Sequence, residues 1–116
     1  MPGLMIIAHA PLASSLKAVA QHAFPECSGV IEALDVAPGD SIEMLEAAAR
    51  AMLQRIGDPD ALILTDVFGA TPCNVAQRLS DSVHVRVIAG VNVPMLWRAL
   101  CYAGEPLDSV DRKSVV

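Results

Sequence analysis

Two side chains that lie far apart in the chain, His9 and Asp66, are of the types that together make an activated nucleophile. A carboxylate that accepts a hydrogen bond from one imidazole nitrogen fixes the tautomer and leaves the other nitrogen free to attack. The same carboxylate stabilises positive charge that develops on the ring. Close behind Asp66 comes the small-residue stretch Gly69-Ala70-Thr71, which runs into Pro72. The backbone N–H groups of such a loop, the positive end of a helix after it and the Thr71 hydroxyl suit an incoming phosphoryl group. The sequence has no Gly-x-Ser-x-Gly elbow, no Walker loop and no Gly-x-Gly-x-x-Gly turn. These residues point to anion handling by a histidine.

Taken one at a time, the same residues have ordinary uses. A histidine after a strand is commonly a hydrogen-bonded loop residue, Asp is common in turns, and Gly-Ala-Thr-Pro is an unremarkable connection. Among the other candidates, His22 falls near the end of a helical stripe and His84 reads as an exposed strand residue. Asp35 stands at a strand end, where it reads as a turn residue rather than a ligand. A metal site can be drawn from His9, Asp66 and Cys73, yet their spacings match no standard motif; a histidine that carries a phosphoryl group needs neither a metal nor an organic cofactor.

The order of elements is what brings His9 and Asp66 together. Leu4-Met5-Ile6-Ile7-Ala8 is a short continuous apolar run, the pattern of a strand buried on both faces. A helix from Pro11 to Ala23 follows, with Leu12, Leu16, Val19, Ala20 and Ala23 on one stripe, and Phe24-Pro25 closes it. Val30 to Val36 reads as a second strand with the Pro38-Gly39 turn behind it. Asp40-x-x-Glu43 has capping-box spacing, with Ser41 as the competing cap, and opens a helix to Ile56 that Gly57 closes before Asp58-Pro59. Ala61 to Thr65 is the third strand; Thr71 as N-cap with Pro72 at the first helical position opens the helix through Leu79. Val83 to Ala89 is the fourth strand, with His84 and Arg86 on the face opposite Val85 and Val87. Pro94 opens a last helix through Leu96, Leu100 and Ala103, and the tail holds a turn at Glu105-Pro106 and a final helical start.

Strands alternating with helices through right-handed crossovers make an α/β domain. The expected sheet is open, doubly wound, mainly parallel and four-stranded, with order 2-1-3-4 and helices on both faces. Chain direction reverses between strands one and three, and ligands of such sheets bind beyond the strand ends there. His9 and Asp66 follow those two strands.

The chain has 116 residues, 53% hydrophobic and 18% charged, with a formal net charge of −5. One domain over residues 1–116 follows from the usual size of about 100–200 residues per domain. The core-forming fraction excludes a disordered chain, and no apolar run approaches the roughly 18 residues of a membrane span. No basic region precedes Leu4 to Ala8, so a signal peptide is not expected and the protein is placed in the cytoplasm. Eight Lys+Arg against thirteen Asp+Glu, without a basic cluster, argue against nucleic-acid or anionic-membrane partners. Phe24, Phe68, Trp97 and Tyr102 make no base-stacking platform. Cys27, Cys73 and Cys101 are too few and too widely spaced for a disulfide framework or a zinc pair, and read as free thiols.

Three segments carry a family likeness. Leu4-Met5-Ile6-Ile7-Ala8-His9-Ala10-Pro11-Leu12-Ala13 resembles the opening of the EIIA components of the mannose family of the sugar phosphotransferase system. Thr65-Asp66-Val67-Phe68-Gly69-Ala70-Thr71-Pro72-Cys73-Asn74-Val75-Ala76 resembles that family's Asp-x-Phe-Gly-Gly-Ser-Pro-x-Asn-x-Ala pattern. Ile88-Ala89-Gly90-Val91-Asn92-Val93-Pro94-Met95-Leu96 is similar to its Gly-Val-Asn-x-Pro-Met-Leu segment. The resemblance implies a phosphoryl carrier that takes phosphate from the phosphocarrier protein HPr onto His9 and passes it to the EIIB component. It implies that Asp66 orients His9, that Phe68, Gly69, Ala70, Thr71 and Asn74 shape the phosphoryl-binding loop, and that the protein is a homodimer. The alternative reading is a regulatory module that senses phosphorylation state and binds a target protein without sugar transport. A weaker third reading is a hydrolase or ligand-binding domain with His9 as base and Asp66 as orienter.

The sequence departs from the family pattern in places. Ala10 stands where Gly is usual, Ala70 replaces the second Gly, Thr71 replaces Ser and Cys73 a frequent aromatic. Alanine tolerates positive φ poorly, so the loop at Ala70 is expected either to differ in shape or to use an ordinary turn. Cys73, beside a helix start, is a candidate reactive thiol. Domains of this family usually continue past the fourth helix with another helix and a short strand exchanged between subunits. Here the sequence reaches Val116 early, and that helix and strand are expected to be missing.

Overall fold

The computed structural model describes residues 3–25, 31–56, 60–81, 83–101 and 106–114. The expected features at Cys27, Val30, Gly57 to Pro59, Tyr102, Ala103 and Glu105 lie outside the described residues. The elements are β1 (Gly3–His9), α1 (Leu12–Ala23), β2 (Ile31–Val36), α2 (Ile42–Ile56) and β3 (Ala61–Thr65). They continue as α3 (Thr71–Leu79), β4 (Val85–Ala89), α4 (Val93–Cys101) and α5 (Leu107–Ser114).

The strands form one sheet of order β2-β1-β3-β4, and every pair is parallel. This is the doubly wound arrangement that the alternation of patterns predicts. β1 is buried from Gly3 to Ala8 because strands flank it on both edges and helices cover both faces. Leu4, Ile6, Leu62 and Leu64 pack with Leu16 and Ala20 of α1, Leu96 and Leu100 of α4, and Leu107 and Val110 of α5. On the other face Met5, Ile7 and Ile63 meet Leu45 and Ala49 of α2 and Val75, Ala76 and Leu79 of α3. No described helix is long and apolar enough to cross a membrane.

Several boundaries move for identifiable reasons. The buried stripe of α1 is Ala13, Leu16 and Ala20, while Leu12 and Val19 face outward. Ser41, not Asp40, caps α2: its Oγ accepts the Met44 N–H and its carbonyl takes the Leu45 N–H, while Asp40 turns back to the Ala37 N–H. β4 begins at Val85 rather than Val83 because the Asp81 carboxylate collects the N–H groups of Val83, His84 and Val85 at 2.9, 2.6 and 2.8 Å. His84 therefore belongs to that turn and not to the strand. The tail forms an eight-residue helix, α5, tied to β4 by Arg86, whose Nη1 lies 2.6 Å from Asp108 and 3.3 Å from Asp111.

β1 starts against the end of α2. A Cβ on Gly3 would stand 2.7 Å from the Ile56 carbonyl carbon, and the Gly3 N–H donates to the Asp60 carbonyl at 2.9 Å. The obstacle is backbone, so it cannot swing aside. Gly3→Ala is expected to cost about 1–3 kcal/mol, the usual range for overpacking, read as a lower urea midpoint at unchanged slope. A wild-type midpoint would show that β1 and α2 have room to separate.

At the same end of the sheet, His84 Nδ1 lies 2.8 Å from Asp60 Oδ1. That hydrogen bond raises the His84 pKa above its ordinary value; slight desolvation opposes the shift, and the charges of Asp60 and Asp81 add to it. A raised folded pKa gives stability that is fully present below the unfolded value of about 6.5 and lost as pH rises through the folded one. The Tm difference between wild type and Asp60→Asn should therefore narrow from about pH 5.5 to about pH 8.5. A difference that stays constant across that interval would rule out the linkage.

Candidate functional site

The site is built where β1 and β3 end side by side. Their register pairs Ile7 with Thr65, so the next residues, Ala8-His9 and Asp66, emerge together. His9 Nδ1 lies 2.7 Å from Asp66 Oδ2, and the same oxygen accepts the His9 backbone N–H at 3.0 Å. Asp66 Oδ1 accepts the Val67 N–H at 2.8 Å. The carboxylate thus holds both the ring and the main chain of His9.

Burial works to raise the Asp66 pKa, since its side chain is only 10% exposed. The bonds from the His9 main chain, the His9 ring and the Val67 N–H outweigh that effect, with the His9 charge adding, and hold the carboxyl below the usual aspartate value. An ionised carboxylate can only accept, so the hydrogen in the bond sits on Nδ1. In the neutral ring Nε2 is then the nitrogen with the lone pair, on a side chain 53% exposed.

The turn after His9 is held from β2. The Ala10 N–H donates to the Val36 carbonyl at 2.8 Å, and the Ser14 N–H donates to Asp35 Oδ1 at 3.0 Å. Asp35 is therefore a residue of β2 that caps α1, in place of the turn residue read from the sequence. The signal that could have found it is an absence: Pro11 is the N-cap of α1, makes no side-chain cap bond, and no acidic residue follows in the first turn.

The loop after Asp66 carries the other expected site residues. Val67 and Phe68 project outward, with Phe68 78% exposed. Gly69 has φ +87°, and Ala70 has φ −90° and ψ 172°. Left-handed backbone thus falls on the remaining glycine, and Ala70 sits in an extended conformation that suits it. Ala70, rather than Thr71, is the N-cap of α3; Thr71 is its first residue, half-buried, and the Asn74 N–H bonds the Ala70 carbonyl at 2.9 Å. Cys73 is 1% exposed, closed to attack from solution, contrary to its reading as a reactive thiol. His22 is exposed on α1, and His84 lies in the Asp81 turn. No group of three or more His, Cys, Asp or Glu among the described residues could hold a metal ion.

The segment after β4 steadies this loop. Gly90 N–H donates to the Asp66 carbonyl at 3.0 Å and Val91 N–H to the Thr65 carbonyl at 2.9 Å. Asn92 caps α4, its Oδ1 accepting the Met95 N–H at 2.9 Å.

Residues 3–112 match the EIIA-man family, described as PTS system fructose IIA component. The chain is 39% identical over 69 residues to the PTS system mannose-specific EIIAB component of Escherichia coli (strain K12). That alignment takes in 58% of this chain and 21% of the relative, so the chain spans a small part of that protein. The mannose/sorbose specific IIA subunit of the phosphotransferase system from Enterococcus faecalis superposes with a TM-score of 0.81 at 28% identity, over 98% of this chain and 84% of that one. The phosphotransferase system component EIIA from Streptococcus agalactiae superposes with a TM-score of 0.85 at 21% identity, over 99% and 90% of the two chains, a likeness of fold.

The two loop positions should respond in a way set by their backbone angles. Gly69→Ala meets no atom within 4 Å but must hold positive φ, which costs about 1–2 kcal/mol. Ala70→Gly should also destabilise, by about 0.4–1 kcal/mol, because it frees the unfolded chain. Urea melts of both variants test this; a stabilised Ala70→Gly would mean that Ala70 is strained after all.

Proposed function

The chain belongs to the EIIA-man family of phosphotransferase-system IIA components, and on that footing we propose that it carries a phosphoryl group on His9. The observation behind this reading is the commitment of His9 Nδ1 to the Asp66 carboxylate at 2.7 Å, which leaves Nε2 as the exposed nucleophile.

In this reading the donor is the phosphohistidine of HPr. The Nε2 lone pair attacks phosphorus, a new N–P bond forms on His9, and the N–P bond to the donor breaks with its electron pair returning to the donor imidazole. In the neutral ring with its hydrogen on Nδ1, no proton has to leave Nε2. The ring becomes cationic as the bond forms, and Asp66, acceptor of the Nδ1 hydrogen throughout, stabilises that charge. The phosphoryl oxygens are received by backbone N–H groups along Phe68, Gly69 and Ala70 and at the start of α3, with the Thr71 hydroxyl and Asn74 beside them. Transfer to a nucleophile of the EIIB component reverses the same steps. Phe68 gives an apolar contact on the face where both partners must approach.

The test is intact-protein mass after incubation with phosphoenolpyruvate, the general EI enzyme and HPr. Wild type is expected to gain one acid-labile phosphoryl group and His9→Ala none. Asp66→Asn should take it up more slowly by on the order of 100-fold, the scale of losing one preorganised partner of the charge that develops. Equal labelling of all three proteins would sink the site assignment. A folded wild type that gains nothing would remove the carrier reading.

A further inference from the structure

We propose that Asp35 is a positioning residue for His9: from the end of β2 its carboxylate caps α1 and so fixes the turn that presents the imidazole to Asp66. The inference rests on the reading of His9 as the phosphoryl acceptor, and adds the element that aims it. Only Ala10 and Pro11 separate His9 from the first residue of α1. A helix start needs acceptors for its first N–H groups, and α1 supplies none from a side chain of its own first turn or cap. Asp35 Oδ1 fills that need from another strand, accepting the Ser14 N–H at 3.0 Å.

The residue after Asp35 works on the same turn. The Val36 carbonyl accepts the Ala10 N–H at 2.8 Å. Consecutive residues of β2 therefore grip the chain just after His9 and again inside the first turn of α1. Asp66 grips His9 itself from β3. The imidazole is aimed by a turn fastened on two sides, and releasing one side lets α1 shift and rotate His9 away from its partner oxygen. Misplacement of a reacting group by about 1 Å can cost on the order of 100-fold in rate. The carboxylate also lies at the positive end of α1, an arrangement favourable to the helix.

The experiment compares Asp35→Ala, Asp35→Asn and Ser41→Ala with wild type. Ser41→Ala removes a cap of the same kind from α2 and leaves the His9 turn untouched. The first readout is the His9 Nδ1–H signal and ring nitrogen shifts by NMR in the unphosphorylated protein. The second is phosphoryl uptake from phospho-HPr, separated into kcat and KM. Asp35→Ala is expected to broaden the Nδ1–H signal and lower kcat about tenfold, within the range set by small misplacements, with KM for the donor unchanged. Asp35→Asn keeps an oxygen that accepts the Ser14 N–H and should restore both readouts. Ser41→Ala should leave both at wild-type values. Asp35→Thr keeps a shorter capping oxygen and gives an intermediate loss, which serves if Asp35→Ala does not fold. A wild-type imidazole signal in Asp35→Ala, an equal loss in Ser41→Ala, or no restoration by Asp35→Asn would each overturn the inference. The NMR readout needs no phosphoryl group, so a wild type that accepts no phosphate counts against the carrier reading and leaves the positioning role to be judged on the ring.

Discussion

The parallel ladder between β1 and β3 is the constraint on which the rest of the molecule depends. It pairs Gly3 with Ala61 through to Ile7 with Thr65, and the two strands end at the same edge. A slip of one residue would turn every side chain of β1 to the opposite face, and His9 would leave Asp66. Both faces of β1 are apolar, so polarity alone does little to forbid that slip. Shape does more: Gly3 is seated against the Ile56 backbone, where a side chain has no room, and its N–H reaches the Asp60 carbonyl. The lower end of the sheet thereby sets the geometry of the upper end.

At the upper end the controlling term is the charge on Asp66. A carboxylate this sheltered would ordinarily drift toward its neutral form, and three N–H donors keep it ionised. Two of those donors belong to His9, so the interaction that keeps the acid charged is also the one that orients the ring. The main chain on either side is secured by Gly90 and Val91 after β4. The end of β1 and the segments after β3 and β4 therefore meet at Asp66, through its carboxylate and its main-chain carbonyl, and β2 holds the adjoining turn through Asp35 and Val36.

The departures from the family pattern fit this geometry. Of the two small residues that follow Phe68, only Gly69 needs the left-handed region, and it has kept its glycine. Ala70 is extended and leads into α3, where a Cβ is welcome. Thr71, the first residue of α3, keeps the hydroxyl that serine would offer. At both positions the residue present suits its backbone, glycine in the left-handed region and alanine in the extended one.

Much was legible in the residues alone. Apolar runs separated by helical stripes pointed to four strands in parallel, two of them, β1 and β3, buried along their length. His9 and Asp66 could be paired on that basis, because right-handed crossovers and the common order of such sheets put the ends of those two strands together. The hydrogen-bond partners of individual side chains were not legible. Ser41 and Asp40 compete for one helix start, and the backbone path of the preceding turn decides between them. Asp81 holds three N–H groups that the pattern assigned to a strand. Asp35 reaches Ser14 only because β2 lies beside β1 with Asp35 opposite Ala8. Which nitrogen of His9 faces the carboxylate was likewise settled by tertiary placement. Apolar periodicity is written along the chain and survives any arrangement, whereas a hydrogen bond a few ångströms long exists only after the register has brought its two ends together.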